Sequence, residues 1–289
     1  ALGIGLEIPL ACHHIIATDN PNAKIGLPEI KVGIFPGAGG TTRLVRKMGA
    51  MAASPFLLQG KLSTPSQALS TGIIDAVSDT ALQDAKDWIM TAKDADLVKP
   101  WDAKGYKMPG GAPYHPAGFM TFVSASAMVN CQTMGVYPAA KALLSAIYEG
   151  TLVPFDTALK IEARHFTSVL LNPSSSNMIR SLFINKGALE KGAFRPADVP
   201  NQSVLKLGIM GAGMMGAGIA LVSAQAGINV VLIDQAQESA DKGKAYVAAY
   251  CDKGIARKKS TAEQKELLLA QINSTTDYQA LADCDLIIE

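Results

Sequence analysis

Apolar residues recur at different spacings along this chain, and the spacing changes twice. Over the first third the pattern is short and alternating, with frequent glycine breaks. A helix beginning near Gly5 is expected over residues 6–14, with Pro9 tolerated in its first turn, where a backbone N–H has no partner to lose. Residues 15–18 read as a strand, Asp19-Asn20-Pro21-Asn22 as a turn, and Ile25 as a second short extended piece. Gly37-Ala38-Gly39-Gly40 then opens a helix over residues 41–48, which Gly49 stops.

From about residue 96 the period becomes helical. Residues 128–133, 139–148 and 156–170 each repeat apolar positions at three- and four-residue intervals. The proline- and glycine-rich stretch 107–113 is a loop. Asn172-Pro173-Ser174 ends the third helix, and a helix resumes over 176–191. Arg195-Pro196-Ala197-Asp198-Val199-Pro200 is the clearest linker. Beyond it the rhythm is strand (204–210), helix (215–226) and strand (228–233). A charged helical stretch follows (238–259, then 262–272), and the chain closes on a strand over 286–289. The pattern predicts an α/β chain in three regions: 1–95, a helical linker region over 96–202, and 203–289.

Composition narrows the function classes. The chain has 289 residues, of which 48% are hydrophobic and 18% charged, with a formal net charge of +1. That length suits two globular domains, and the charge supplies no basic field for nucleic acid. Cys12, Cys131, Cys251 and Cys284 are dispersed without a CxxC pair, so reduced thiols are expected, with no disulfide framework and no metal site. Residues 208–233 carry no charge and are long enough to span a bilayer. Their many glycines, with Ser223, Gln225 and Asn229, fit a strand–turn–helix–strand unit better. No targeting segment is visible. The opening Ala1-Leu2-Gly3 and the closing Asp285-Leu286-Ile287-Ile288-Glu289 are expected to be cuts through domains. The chain would then be an internal fragment, inactive by itself.

Gly211-Ala212-Gly213-Met214-Met215-Gly216 matches G-x-G-x-x-G between a predicted strand and helix, and Asp234 closes the next strand about 20 residues on. Gly211 permits the tight turn, Gly213 leaves room for a pyrophosphate, and Gly216 lets helix pack on strand. Free N–H groups at the helix start would hold the phosphates. Asp234 would accept from ribose hydroxyls and repel a 2′-phosphate, which favours NAD over NADP. The bland alternative is a tight strand–helix turn with no ligand.

Two glutamates stand in the first region, in Gly3-Ile4-Gly5-Leu6-Glu7 and in Gly26-Leu27-Pro28-Glu29. Each alone reads first as a helix-terminal or surface charge. A pair in different environments could deprotonate water and protonate carbon. Those two segments resemble the crotonase (enoyl-CoA hydratase) family. So do Gly33-Ile34-Phe35-Pro36-Gly37-Ala38-Gly39-Gly40-Thr41-Thr42-Arg43-Leu44, Gln59-Gly60-Lys61, and the alanine helix leading into Gly72-Ile73-Ile74-Asp75. A crotonase piece, helices and a dinucleotide motif in that order resemble the α-subunits of bacterial fatty-acid oxidation complexes and their mitochondrial trifunctional relatives.

The resemblance implies the C-terminal part of a crotonase-type ββα superhelix over 1–95 and the N-terminal part of a Rossmann NAD-binding domain over 203–289. It implies hydration of a 2-enoyl-CoA, then NAD-dependent oxidation of the 3-hydroxyacyl-CoA. Glu7 would activate water and Glu29 would deliver the proton. The Ile4 N–H would serve the oxyanion hole, and the Gly37 N–H would position the water. The glycine loop, Met215 and Asp234 would contact NAD. Ile4 departs from the family, which has glycine there, and its β-branched side chain crowds the place of the thioester. The dehydrogenase's His–Glu pair would lie past Glu289, so His13, His14, His115 and His165 read as ordinary helix or loop residues. A second oxyanion donor would lie before Ala1. A thiolase β-subunit in an α2β2-type complex is the implied partner, and bacterial cytoplasm, with mitochondrial matrix as the alternative, the implied compartment. Two other functions remain open: double-bond isomerisation by the same carboxylates, and an NAD-binding chain whose hydratase site has lapsed.

Overall fold

A computed structural model of the chain describes residues 1–200, 202–257 and 259–289. The expected helical linker region includes Asn201 and the expected charged helix includes Lys258, and both positions lie outside the described residues. The chain forms two compact units, Ala1–Phe194 and Arg195–Glu289.

In the first unit, α1 (Ile4–Ala11) leads to β1 (Ile16–Thr18) and β2 (Ile25–Gly26), then a 3-10 turn at Pro28–Val32. Next come α2 (Gly40–Met48), α3 (Ala50–Leu57), β3 (Leu62–Ser63), α4 (Pro65–Ser70), β4 (Ala76–Ser78) and α5 (Ala81–Thr91). The helices α6 (Pro116–Thr133), α7 (Pro138–Thr151), α8 (Phe155–Leu170), α9 (Pro173–Ile179) and α10 (Lys186–Glu190) complete it. β1 pairs in parallel with β4, and β2 antiparallel with β3. One core joins Leu6, Leu27, Phe35, Leu44 and Leu57 to Val129, Leu143, Ile147 and Val169, so the helices after residue 96 bury apolar side chains in the same core as α1 and α2. Arg46 on α2 fastens them further, donating through Nη2 to the carbonyls of Gly150 (2.9 Å) and Val153 (2.6 Å) at the end of α7.

Both ends of α1 differ from the sequence expectation for local reasons. α1 starts at Ile4 and stops at Ala11, which leaves His13 and His14 outside it. Gly3, at φ 57°, makes the turn into the helix, and the Lys99 ammonium takes the Leu10 and Cys12 carbonyls at its end. Pro9 therefore lies in the second turn, not the first. α8 spans the expected helix, with Ala158, Glu162 and Val169 on its buried side.

In the second unit, β5 (Lys206–Met210), α11 (Met214–Gln225), β6 (Asn229–Ile233), α12 (Gln237–Ala256), α13 (Ala262–Ala270), β7 (Ile272–Thr275) and β8 (Leu286–Ile288) follow one another. The four strands are all parallel, in the order β7-β6-β5-β8. The chain runs outward from β5 and then returns to its other side, so a crevice opens at the carboxyl end of β5, where nucleotides bind in such sheets. Ala217, Ala220, Leu221 and Ala224 of α11 recur at helical spacing and pack on Leu207, Ile209, Val230 and Leu232. The uncharged run 208–233 is thus a strand, a helix and a strand, and no helix among the described residues is long and apolar enough to cross a membrane. β7 occupies residues where helix was expected to end. Ile272 is buried and pairs with Val230, while Asn273, Ser274 and Thr275 carry no apolar alternation to announce a strand.

Candidate functional site

The loop before α2 is built from small residues for a steric reason. A Cβ on Gly40 would lie 2.5 Å from Glu7 Oε1, and one on Gly37 would lie 2.2 Å from the Phe166 ring. Gly39 adopts φ 94°, which a residue with a side chain rarely does. The Thr41 hydroxyl closes the turn by donating to the Pro36 carbonyl at 2.9 Å.

Glu7 on α1 is 4% exposed, and its Oε1 accepts from the N–H of Ala38 (3.0 Å) and of Gly40 (2.7 Å). Burial pushes its carboxyl above the usual range, while those two N–H groups and the Arg43 charge pull the other way. Glu7 Oε2 has no protein hydrogen-bond partner among the described residues.

Glu29 follows Pro28 in the 3-10 turn. Leu2 bridges Gly26, and the Gly3 N–H donates to the Gly26 carbonyl at 3.0 Å, which brings the turn against the start of α1. A Cβ on Gly3 would stand 3.1 Å from Glu29 Oε1. Glu29 Oε2 is buried with no hydrogen-bond partner. Burial, reinforced by repulsion from Glu7, pushes this carboxyl up to about 7. Two glutamates expected to share work are therefore close enough to repel, and their environments differ: one accepts two backbone N–H bonds, the other keeps an unpartnered oxygen.

The two backbone donors suggested by the sequence are both free. Among the described residues, neither the Ile4 N–H, first in α1, nor the Gly37 N–H donates a hydrogen bond. The Ile4 side chain is 63% exposed.

A third carboxylate was not visible in the sequence. Glu162 on α8 is 1% exposed, and its Oε1 accepts from the Gly39 N–H (2.7 Å), its Oε2 from the Thr42 N–H (2.8 Å) and hydroxyl (2.5 Å). Burial pushes it up to about 7, with Glu7 repulsion a lesser contributor and the Thr42 and Gly39 bonds opposing. Its signal was a carboxylate on the buried side of an amphipathic helix, a position that demands partners.

In the second unit, Gly211 (φ 104°) turns the chain out of β5, and its N–H donates to the Ile233 carbonyl at 2.7 Å. A Cβ on Gly216 would stand 1.8 Å from the Gly211 carbonyl oxygen, so helix and loop touch there. A Cβ on Gly213 would meet nothing within 4 Å. This position caps the N-terminus of α11 and faces open space. Met214 and Met215 are 76% and 74% exposed. Asp234, at the end of β6, accepts the Ala212 N–H at 2.8 Å and so sits beside the loop. An open glycine at a helix N-terminus with a carboxylate across the loop fits the pyrophosphate and ribose of a dinucleotide. A cavity of about 700 Å³ lies elsewhere in this unit, between the end of α11 and α12–α13, and includes Tyr250, Lys253 and Leu268 in its lining. Among the described residues no three His, Cys, Asp or Glu side chains gather as a metal site.

Comparison with known proteins places a family on each region. The enoyl-CoA hydratase/isomerase family matches residues 1–94, and the NAD binding domain of 3-hydroxyacyl-CoA dehydrogenase matches residues 206–289. Over its whole length the chain is 32% identical to the fatty acid oxidation complex subunit alpha of Shewanella amazonensis and 31% identical to that of Shewanella loihica. It spans 40% of each of these relatives. Among solved structures it is similar to (S)-3-hydroxybutyryl-CoA dehydrogenase from Ralstonia eutropha, at 41% identity over 30% of this chain and 31% of that one, with a TM-score of 0.30.

Proposed function

We propose that this chain, a member of the family of fatty acid oxidation complex alpha subunits, with an enoyl-CoA hydratase/isomerase region followed by a 3-hydroxyacyl-CoA dehydrogenase NAD-binding region, serves two consecutive steps of β-oxidation. The first adds water across a 2-enoyl-CoA. The second oxidises the resulting 3-hydroxyacyl-CoA with NAD.

In the first step Glu7 takes a proton from water through its unpartnered Oε2, with the free Gly37 N–H helping to hold that water. The water oxygen bonds to carbon 3 of the enoyl group. Electron density moves onto the thioester oxygen, where the free Ile4 N–H stabilises it. Glu29 gives its proton to carbon 2, and proton exchange through solvent restores both carboxyls. The observation that carries this reading is the contrast between the two glutamates. A carboxyl pushed up to about 7 by burial holds a proton to give near neutral pH. Its neighbour, hydrogen-bonded by two N–H groups, is the better acceptor. The unpaired Ile4 N–H favours this over a lapsed site, since the donor needed is backbone and the isoleucine side chain leaves it free.

The chemistry that bound NAD would supply in the second step is hydride acceptance from the carbon bearing the 3-hydroxyl. The residues of this chain would do the holding: the N–H groups at the start of α11 would bind pyrophosphate, Gly213 would leave room for it, and Asp234 would take the ribose hydroxyls. The relatives are named as subunits of a complex and come from bacteria. That supports a partner subunit in a bacterial protein; the reading takes the partner as a thiolase β-subunit in an α2β2-type assembly and the compartment as bacterial cytoplasm.

A direct test supplies a short 2-enoyl-CoA and NAD to the full protein carrying this sequence and follows NADH. The reading expects NADH only when both are present, with 3-hydroxyacyl-CoA accumulating when NAD is left out. NADH from 3-hydroxyacyl-CoA but never from 2-enoyl-CoA would leave a dehydrogenase without a hydratase.

A further inference from the structure

Three consecutive backbone N–H groups in the glycine loop alternate between two buried carboxylates. Ala38 and Gly40 donate to Glu7 at 3.0 and 2.7 Å, and Gly39 between them donates to Glu162 at 2.7 Å. Glu162 extends its hold to the N–H and hydroxyl of Thr42, so its two oxygens grip the loop at both ends of the first turn of α2. The same face of α8 presents Phe166, one turn on, against Gly37, and a Cβ on Gly39 would meet Leu159 at 3.1 Å. Leu159, Glu162 and Phe166 thus present one face of α8 to the loop.

We infer that Glu162 is a positioning residue for the hydration step, acting through the glycine loop to fix the two N–H groups that hold Glu7 and the Gly37 N–H beside them. The inference rests on the hydratase reading. Its physical basis is the geometry of a peptide chain. The Gly39 N–H is turned toward α8 while its two neighbours face Glu7, and Gly39 at φ 94° has the freedom to lose that turn once Glu162 lets go. Glu162 itself touches no reacting atom. A glutamine in its place would keep the volume but could accept from one side only. Its NH2 would then face an N–H donor, and one anchor of the loop would be lost.

The test uses the full protein carrying this sequence, with Glu162→Gln and Glu162→Asp. Each variant is assayed for hydration of a short 2-enoyl-CoA, for NAD affinity and for thermal midpoint. The inference expects Glu162→Gln to lower kcat at least tenfold while KM stays within about twofold, with NAD affinity unchanged. Glu162→Asp, shorter but still accepting on both oxygens, should recover part of the loss. A kcat within twofold of the parent in Glu162→Gln overturns the inference and leaves the hydratase reading standing. So does a loss of activity that only follows the folded fraction. A parent with no hydration at all overturns both, and is told apart by the parent control.

Discussion

Gly213 and Gly216 occur three residues apart in one motif, yet replacing each by alanine should fail in opposite ways. At Gly216 the added methyl would stand 1.8 Å from the Gly211 carbonyl oxygen, against an ordinary carbon–oxygen approach of about 3.3 Å. Helix α11 or the loop must therefore shift by roughly 1.5 Å. Overpacking of that kind costs about 1–3 kcal/mol. In a unit of this size each kcal/mol lowers the midpoint by roughly 4–8 °C, so Gly216→Ala should melt the second unit roughly 5–20 °C earlier. At Gly213 a methyl meets nothing within 4 Å, and the residue's φ of −65° suits any amino acid. Its only folding cost is a poorer helix cap, under about 1 kcal/mol. The same methyl stands where pyrophosphate must approach the backbone, and a clash worth about 2 kcal/mol would weaken NAD about 30-fold. Calorimetric melting paired with NAD titration separates the two. If Gly213→Ala kept NAD affinity within threefold, or Gly216→Ala melted with the parent, the steric reasoning would be wrong.

Other predictions follow from the same geometry. Asp234→Ala should weaken NAD about tenfold and narrow the preference for NAD over NADP, because a charge that repels a 2′-phosphate is gone; titration with both cofactors decides it. Gly40→Ala should cut hydration at least tenfold, since its Cβ would fall 2.5 Å from Glu7 Oε1, and an unchanged rate would refute the contact. Glu162 holds its proton up to about 7 in the fold against an ordinary 4.5, a difference worth about 3 kcal/mol. A carboxyl raised by folding stabilises fully below its ordinary value and loses that contribution as pH climbs through the folded one. The first unit should therefore melt earlier at about pH 8 than at about pH 5, with Glu162→Gln flattening the slope; a midpoint that rises with pH would contradict the sign. Hydration should likewise fall as pH rises through about 7, where Glu29 loses the proton it must give.

Much of the site could be read from residue order, because local chemistry sets it. The positive φ of Gly211 and the close approach at Gly216 are needs that neighbours in sequence impose, and Asp234 ends a strand whose apolar run is unmistakable. Glu7 and Glu29 stood out by the segments around them. What stayed hidden depends on contacts distant in sequence. Glu162 lies far along the chain from the loop it grips, and nothing in its own helix names that partner. β7 escaped because a strand paired along one side can be polar once Ile272 is buried. The ends of α1 stayed out of reach because the turn at Gly3 and the cap from Lys99 set them, and Pro9 falls in the second turn as a result.

The most direct test of the central claim is hydration of a short 2-enoyl-CoA by the full protein carrying this sequence, with Glu7→Gln and Glu29→Gln beside it. The account predicts that either substitution lowers turnover at least a hundredfold while NAD affinity holds, because each removes one side of the proton traffic. Turnover close to the parent in either variant would contradict it and take the chemistry off these two carboxyls.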